Sequence, residues 1–278
     1  MEARTAARRS VRLVHMSVEN APAGDGRVLR VLSCNILAGA SVTRYHEYFT
    51  RSWGAVLPGK YKLGNLDKLA RSIAKFDVVG LQEADAGSIR SGFLNQTRYL
   101  AETSGMPYWS HQPNRKLSSV SHTANGLISR AAPSQVFDYP LPGRLGGRGV
   151  LLARYGEGDD ALTVAVAHLS LGTQARARQL GFIAELLQDS PSAVLMGDLN
   201  CPPDSPELGF LFSHTDLAPP AHPTPTFPSW RPQRAIDHIL VSSKITVERM
   251  WTLPAAFSDH LPLAAELRVP PTAWKAAA

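Results

Sequence analysis

The stretch SAVLMGDLNCPPDS, residues 192–205, runs from the apolar residues Ala193 to Met196 straight into Gly197, Asp198 and Asn200, and then into two prolines. A short apolar run bounded by turn residues reads as a buried strand. A carboxylate and a carboxamide at the exposed end of such a strand serve packing poorly, and they suit a hard cation or a positioned water. Taken singly, Asp198 and Asn200 are also a turn signal, because their side chains cap turns. The rest of the chain must supply the other walls of a site.

Several further runs end the same way. VLRVLSC (residues 28–34) reads as a strand that ends at Asn35, DVVGLQE as a strand that ends at Glu83, and LTVAVAH as one that ends at His168. NGLISR, RGVLLARY, IDHILVS, ITVERM and LPLAAELRV are also strand-like, the last preceded by Asp259 and His260. Between them lie helical patterns. In NLDKLARSIAKF the residues Leu66, Leu69, Ala70, Ile73 and Ala74 share a face, with Asn65 as cap; a second helix is predicted from Gln96 to Thr103. TQARARQLGFIAELLQ sets Ala177, Leu180, Ala184 and Leu187 on one face and starts at Thr173. Strands and helices mix along the whole length with no linker or repeat, which implies one α/β domain containing more than one sheet. The domain is predicted over residues 28–270, after a basic amino-terminal tail (1–27) and before a short carboxy-terminal tail (271–278).

The 278 residues are 44% hydrophobic and 19% charged, the composition of a globular chain with room for a sizeable core. A formal charge of +6 and a pI near 9.5 favour phosphate-bearing partners. Part of that excess, Arg4, Arg8, Arg9 and Arg12, lies in the tail. No window is apolar enough for a secretory core or a spanning helix, so a cytoplasmic location, no integral membrane segment and a monomer are expected. Cys34 and Cys201 cannot make a disulfide framework or a zinc knuckle and read as small buried hydrophobes.

Three stretches are too long for plain connectors. Residues 38–64 interleave Tyr45, Tyr48, Phe49, Trp53 and Tyr61 with Arg44, Arg51, Lys60 and Lys62; residues 111–124 are polar and basic; residues 222–234, HPTPTFPSWRPQR, are rich in proline. Long irregular segments in compact domains are often functional. Tyr45, Arg115, Trp230 and Arg234 are therefore candidate substrate contacts, able to stack bases, seat a headgroup or simply cover the core.

The polar residues at the predicted strand ends form a coherent set. Glu83, Asp198 and Asp259 with the amides of Asn35 and Asn200 offer the all-oxygen chemistry that Mg2+ or Mn2+ prefers. Mg2+ keeps several waters, and such a site suits phosphate chemistry.

The series SCNIL, LQE, NGLISR, AHLSLGTQARARQ, GDLN, IDHIL and SDH, in this order, resembles the endonuclease/exonuclease/phosphatase family over roughly residues 28–269. The resemblance implies a deoxyribonuclease-I-like α/β fold, a four-layer αββα sandwich of two packed mixed sheets flanked by helices. It also implies roles. Glu83 matches the metal-ligating glutamate and Asn35 the asparagine beside the metal. Asp198 and Asn200 match the pair that orients the attacking water and can hold metal. His260 matches the catalytic histidine, Asp237 the carboxylate that orients it, Asp259 a metal-side carboxylate and His168 a donor to the phosphoryl oxygens. Asn125 matches a residue that approaches substrate, although Ala124 replaces the glycine before it. Arg176 and Gln179 fall on a helix motif and read as structural.

The implied activity is Mg2+-dependent hydrolysis of a phosphoester, more specifically a diester, on a nucleic acid, a phospholipid headgroup or an inositol phosphate. AHLSL stands where abasic-site endonucleases of the family carry a Tyr-x-Pro-Asn element, which argues against a dedicated repair role. The alternatives are a DNA or RNA nuclease proper and, from another class, a catalytically inactive phosphate-binding module.

Overall fold

A computed structural model describes residues 26–37, 60–117, 121–143, 147–158, 161–254 and 258–274. Within them the elements follow as β1 (Arg27–Asn35), α1 (Lys60–Ile73), β2 (Val78–Asp85), α2 (Gln96–Ser104), β3 (Tyr108–Leu117), β4 (Ser121–Ser129), β5 (Gln135–Pro140), β6 (Gly149–Tyr155), β7 (Leu162–His168), α3 (Thr173–Leu187), β8 (Ala193–Asp198), α4 (Pro206–His214), β9 (Asp237–Val241), β10 (Thr246–Thr252) and β11 (Leu263–Val269). They build a six-stranded sheet in the order β10-β11-β1-β2-β4-β3 and a five-stranded sheet in the order β5-β6-β7-β8-β9.

The opening stretch shows why these sheets must stack. All six residues of β8 are buried. Val194 and Met196 point into an inner core with Val31, Val78, Val166 and Leu267 of both sheets, whereas Ala193 and Leu195 face an outer core under α3 and α4. A third core sets Leu32, Val79 and Leu81 beneath α1 and α2. Central strands that are apolar on both faces need a layer on each side, and the result is helix, sheet, sheet, helix. Each fully buried Leu, Val or Ile contributes about 1.5–3 kcal/mol relative to an exposed one. Space between the sheets is tight: a Cβ at Gly80 would sit 2.9 Å from both Met196 and Val166 side-chain atoms.

The structure departs from the sequence reading at places with a physical cause. The first helix starts at Lys60, so Asn65 lies inside it rather than capping it. Leu63, in its first turn, is 44% exposed and so adds nothing to the apolar periodicity. The described part of residues 111–124 is not irregular: residues 111–117 belong to β3, the outer edge of its sheet, and 121–124 to β4, with Pro113 at a register shift. The exposed edge strand β5 lacked a pattern for the same reason. The helix α4 does carry a signal, Ser205 as N-cap accepting from Leu208 N and Pro206 in the first turn. Ala273 and Trp274, beyond the expected domain end at 270, are buried in the inner core, and Ala273 O accepts from Leu162 N. Among the described residues no helix is long and apolar enough to cross a membrane.

Candidate active site

Strand register gathers the first three side chains. His168 pairs with Asp198 in the parallel β7–β8 ladder, and Asp198 with Asp237 in the antiparallel β8–β9 ladder. The last strand turn is fixed by Gly197, whose φ is +148° and whose missing Cβ would fall 1.9 Å from the Ala167 carbonyl oxygen. Only glycine lets the two strands approach there. Asn200 follows with φ +56°, its backbone N–H donating to Asp198 Oδ1 (3.1 Å) and its side-chain nitrogen to Leu169 O (2.9 Å). Its carboxamide oxygen is the end left to meet a cation or a water.

The other sheet supplies Asn35 and Glu83. Asn35 Nδ2 donates to Asp198 Oδ2 across the sheet interface at 3.1 Å, and its oxygen accepts from Leu37 N at 3.2 Å. Glu83 sits where the β2–β4 register shifts between Leu81 and Ala84, with φ +57°. Such a bulge re-aims a side chain, and a non-glycine residue held at positive φ is strain of the kind found at functional sites. Gln82 is buried, while Glu83 stands 29% exposed with Oε1 3.9 Å from His168 Nε2. His168 Nε2 is in turn 3.4 Å from Asp198 Oδ2.

The fourth wall is the SDH segment, held by the proline-rich stretch. His260 Nδ1 donates to Asp237 Oδ2 at 2.8 Å, and buried Thr226 donates its hydroxyl to the same oxygen at 2.5 Å. Leu261 N donates to Thr226 O, Ser229 N to Asp259 O and Ser229 Oγ to Ser258 O, at 2.7–2.9 Å. The Phe227 ring lies 4.9 Å from the His260 ring, and the Arg234 guanidinium lies over the Phe227 ring at 5.8 Å. His260 Nε2 thereby points to within 3.8 Å of Asp198 Oδ2.

These surroundings set the charge states. Burial opposes the imidazolium of His260, but the charge and hydrogen bond of Asp237, with Asp198 and Asp259, outweigh it and raise the group to about 10. Burial, then the charges of Arg148 and His260, hold His168 well below the usual imidazole range, so it stays neutral. Burial, then the Asp237 charge, raises Asp198 to about 7. Burial raises Glu83 and Asp259, and the Asp259 charge pushes Glu83 further.

That excess of buried negative charge tests the fit of a divalent cation. Glu83 and Asp259 repel one another in a site that already desolvates them, and a hard cation relieves both penalties. Asp198, Asp237 and His260 also offer ligand atoms within 4.8 Å of one another. The Asp237 oxygen is already taken by His260 and Thr226, so this trio is better suited to orienting the imidazole than to caging a metal. Glu83 and Asp259, with Asn35, Asp198 and Asn200 around them, are the set that fits.

The candidate substrate residues divide. Asn125 is fully buried and donates to Gly149 O at 2.8 Å and Gln112 Oε1 at 3.2 Å, so it braces the sheets rather than lining the surface. Trp230 is exposed on the loop that carries Phe227, and Arg234 reaches His260 only through that ring. Arg115 lies on β3 with its side chain outside the described residues, as are Tyr45 and residues 38–59 altogether. Arg176 is structural as expected, in a buried ion pair with Glu207 at 2.7 Å, and Gln179 accepts from Ser170 N at 2.9 Å. Sequence reading missed Thr226, Phe227 and Arg148; nothing local in the sequence marks them, because their roles depend on the returning chain.

A sandwich whose facing strand ends join carboxylates to a carboxylate-backed imidazole defines a class, the metal-dependent phosphoester hydrolases. The chain belongs to the Endonuclease/Exonuclease/phosphatase family, which it matches over residues 32–260. No curated protein matches it significantly. Among solved structures it is similar to an endonuclease/exonuclease/phosphatase from Beutenbergia cavernae, with TM-score 0.67, 22% identity and coverage of 88% of this chain and 72% of that one. It is also similar to D. rerio TDP2 complexed with single-strand DNA product (0.62, 15%, 87% and 99%). The human Nocturnin catalytic domain with bound sulfate gives 0.63, 18%, 87% and 95%. At these identities the structural likeness establishes the fold.

Proposed function

We propose that this chain is a Mg2+-dependent phosphodiesterase, with Mn2+ able to substitute, acting in the cytoplasm as a monomer. The observation that carries the reading is the chain Thr226–Asp237–His260 ending 3.8 Å from Asp198. It holds a charged imidazole beside a carboxylate raised to about 7, an acid and a base set apart by their surroundings. Asp198 takes the proton of the attacking water, which Asn200 helps to hold. His260 donates from Nε2 to a non-bridging phosphoryl oxygen, and neutral His168 donates its ring N–H beside it. Glu83, Asp259 and Asn35 would hold the cation, which would supply positive charge against the anionic phosphoester. Two buried free cysteines support a reducing compartment.

A diester carries a single negative charge, and a pocket already crowded with carboxylates repels it less than a dianionic monoester. That D. rerio TDP2 has been seen with single-strand DNA product and the Nocturnin catalytic domain with sulfate supports an anionic substrate. The inactive-module reading has no support, since each catalytic side chain is present and within reach of its neighbour. The test compares bis-p-nitrophenyl phosphate with p-nitrophenyl phosphate in Mg2+ and in EDTA, followed by plasmid DNA, abasic duplex, RNA, sphingomyelin and inositol phosphates in one buffer. The expected result is Mg2+-dependent release from the diester at least about tenfold faster than from the monoester. Faster monoester hydrolysis, or EDTA-resistant rates, overturns the proposal.

A further inference from the structure

We infer that Gln82 is a positioning residue of the cation site: its side-chain nitrogen and the Asn125 oxygen hold one buried water between them, and that link fixes the bulge which aims Glu83. The inference rests on the cation site of the phosphodiesterase reading above and assigns a residue which that reading leaves unused.

Strand register lines up a row of buried carboxamides. Asn35 of β1 pairs with Gln82 of β2 in the parallel ladder, and Asn125 of β4 pairs with Gln112 of β3 in the antiparallel hairpin. Between them the β2–β4 ladder steps from Leu81–Gly126 to Ala84–Ala124, so Gln82 and Glu83 together face Asn125 alone. The sheet order β1-β2-β4-β3 makes the row continuous, and each of its carboxamides is at most 4% exposed. They lie on the face that meets the other sheet: Asn35 reaches Asp198, Asn125 reaches Gly149 O, and Gln112 reaches Tyr139 O and Val150 O. Gln82 shares that face, because Ser33, which donates to its Oε1 at 3.4 Å, continues the inward series of Leu29 and Val31.

The outer members of the row, Asn35 and Gln112, have partners at both ends of the carboxamide. In the middle, Gln82 Nε2 and Asn125 Oδ1 have none among the described residues, and they do not bond to each other. A buried donor or acceptor left unpaired forfeits the hydration it had in the unfolded chain, and native interiors rarely keep one without a use. Here the two are complementary and sit on adjoining strands. A single water satisfies both, accepting from Gln82 and donating to Asn125. The consequence falls on Glu83. A glutamate at φ +57° persists only where its surroundings over-determine the backbone. Gln82 O accepts from Ile36 N at 3.0 Å, which ties one side of the bulge to β1 beside Asn35. The water ties the Gln82 side chain to β4 on the other side, through an asparagine already anchored on Gly149 O. Held from both neighbours, the residue before Glu83 cannot turn, and the carboxylate keeps its aim.

The test uses the full chain and two measurements. In wild type with Mg2+, the Gln82 side-chain amide protons are expected to show a cross-peak to a long-lived water in nitrogen-edited NOE spectra. Calorimetric titration of Mn2+ into Gln82→Met, which keeps the length and removes the donor, is expected to show binding about tenfold weaker, with Tm held within about 2 °C. Raising Mn2+ above the new Kd is expected to restore kcat on bis-p-nitrophenyl phosphate, which general damage to the fold would not permit. If Gln82→Met binds Mn2+ within about threefold of wild type, whether or not it melts higher, the unpaired amide has no role at the cation site and the inference is overturned. A resolved Gln82 amide with no water cross-peak overturns it too, and that spectrum decides the matter should Gln82→Met lose Tm. Wild type that binds no Mn2+ sinks the underlying cation site instead.

Discussion

Asp237→Asn is expected to yield a folded protein that hydrolyses bis-p-nitrophenyl phosphate about 10²- to 10⁴-fold more slowly at neutral pH. One carboxylate oxygen of Asp237 accepts from both His260 Nδ1 and the Thr226 hydroxyl. An asparagine oxygen can still accept from both donors, but it carries no charge, so the ring loses the carboxylate that keeps it protonated and firmly anchored. The sign of the pH effect follows. Burial lowers His260, and Asp237 is the chief influence that raises it to about 10. Without the carboxylate, burial prevails and the ring gives up its proton at lower pH. Hydrolysis that depends on the imidazolium then loses its alkaline limb earlier, so the fall in kcat expected near 10 in wild type moves down by several pH units. A profile and rate matching wild type would show that His260 does not act through Asp237.

The second large effect is on stability. Gly197→Ala drives a Cβ to within 1.9 Å of the Ala167 carbonyl oxygen at a φ of +148°, in the last but one pair of a fully buried parallel ladder. Overpacking and backbone strain each cost about 1–3 kcal/mol, and neither β7 nor β8 can move without opening the cores on both faces. The expected loss is at least about 3 kcal/mol, a fall in Tm of roughly 6–12 °C for a domain of this size. Gly209→Ala, on α4 with no atom within 4 Å of the new carbon, provides the contrast and is expected to be neutral or slightly stabilising. Equal melting temperatures for the two variants would show that β7 and β8 tolerate separation at the site.

How far the sequence speaks depends on where each element lies. β7 and β8 are legible because both faces are buried and the whole run must be apolar, so their ends, His168 and Asp198, are legible too. β3 and β5 are sheet edges, and one solvated face erases the signal. The same reasoning explains the site. Residues that follow a buried strand announce themselves as polar side chains where an apolar run stops. Thr226 and Phe227 lie in a segment without regular structure, and they reach Asp237 and His260 only because Leu261 and Ser229 tie that segment to SDH. Glu83 was named from its place at a strand end, yet its orientation depends on a bulge and a positive φ that no local pattern announces. Asn125 matched a substrate-facing position by motif; it is fully buried, its nitrogen bracing Gly149 O and Gln112 Oε1 while its oxygen has no hydrogen-bond partner among the described residues.

The account depends on Glu83 and Asp259 of the six-stranded sheet and Asp198 of the five-stranded one forming a single cation site. Calorimetric titration of Mn2+ into wild type and Glu83→Gln, both confirmed folded by melting temperature, tests it most directly. Glu83→Gln is expected to bind at least about tenfold more weakly, since the swap removes a ligand charge and keeps the shape. Equal affinity and stoichiometry in the two proteins would mean that the cation, if held at all, is held elsewhere, and the convergence of the two sheets would lose its chemical meaning.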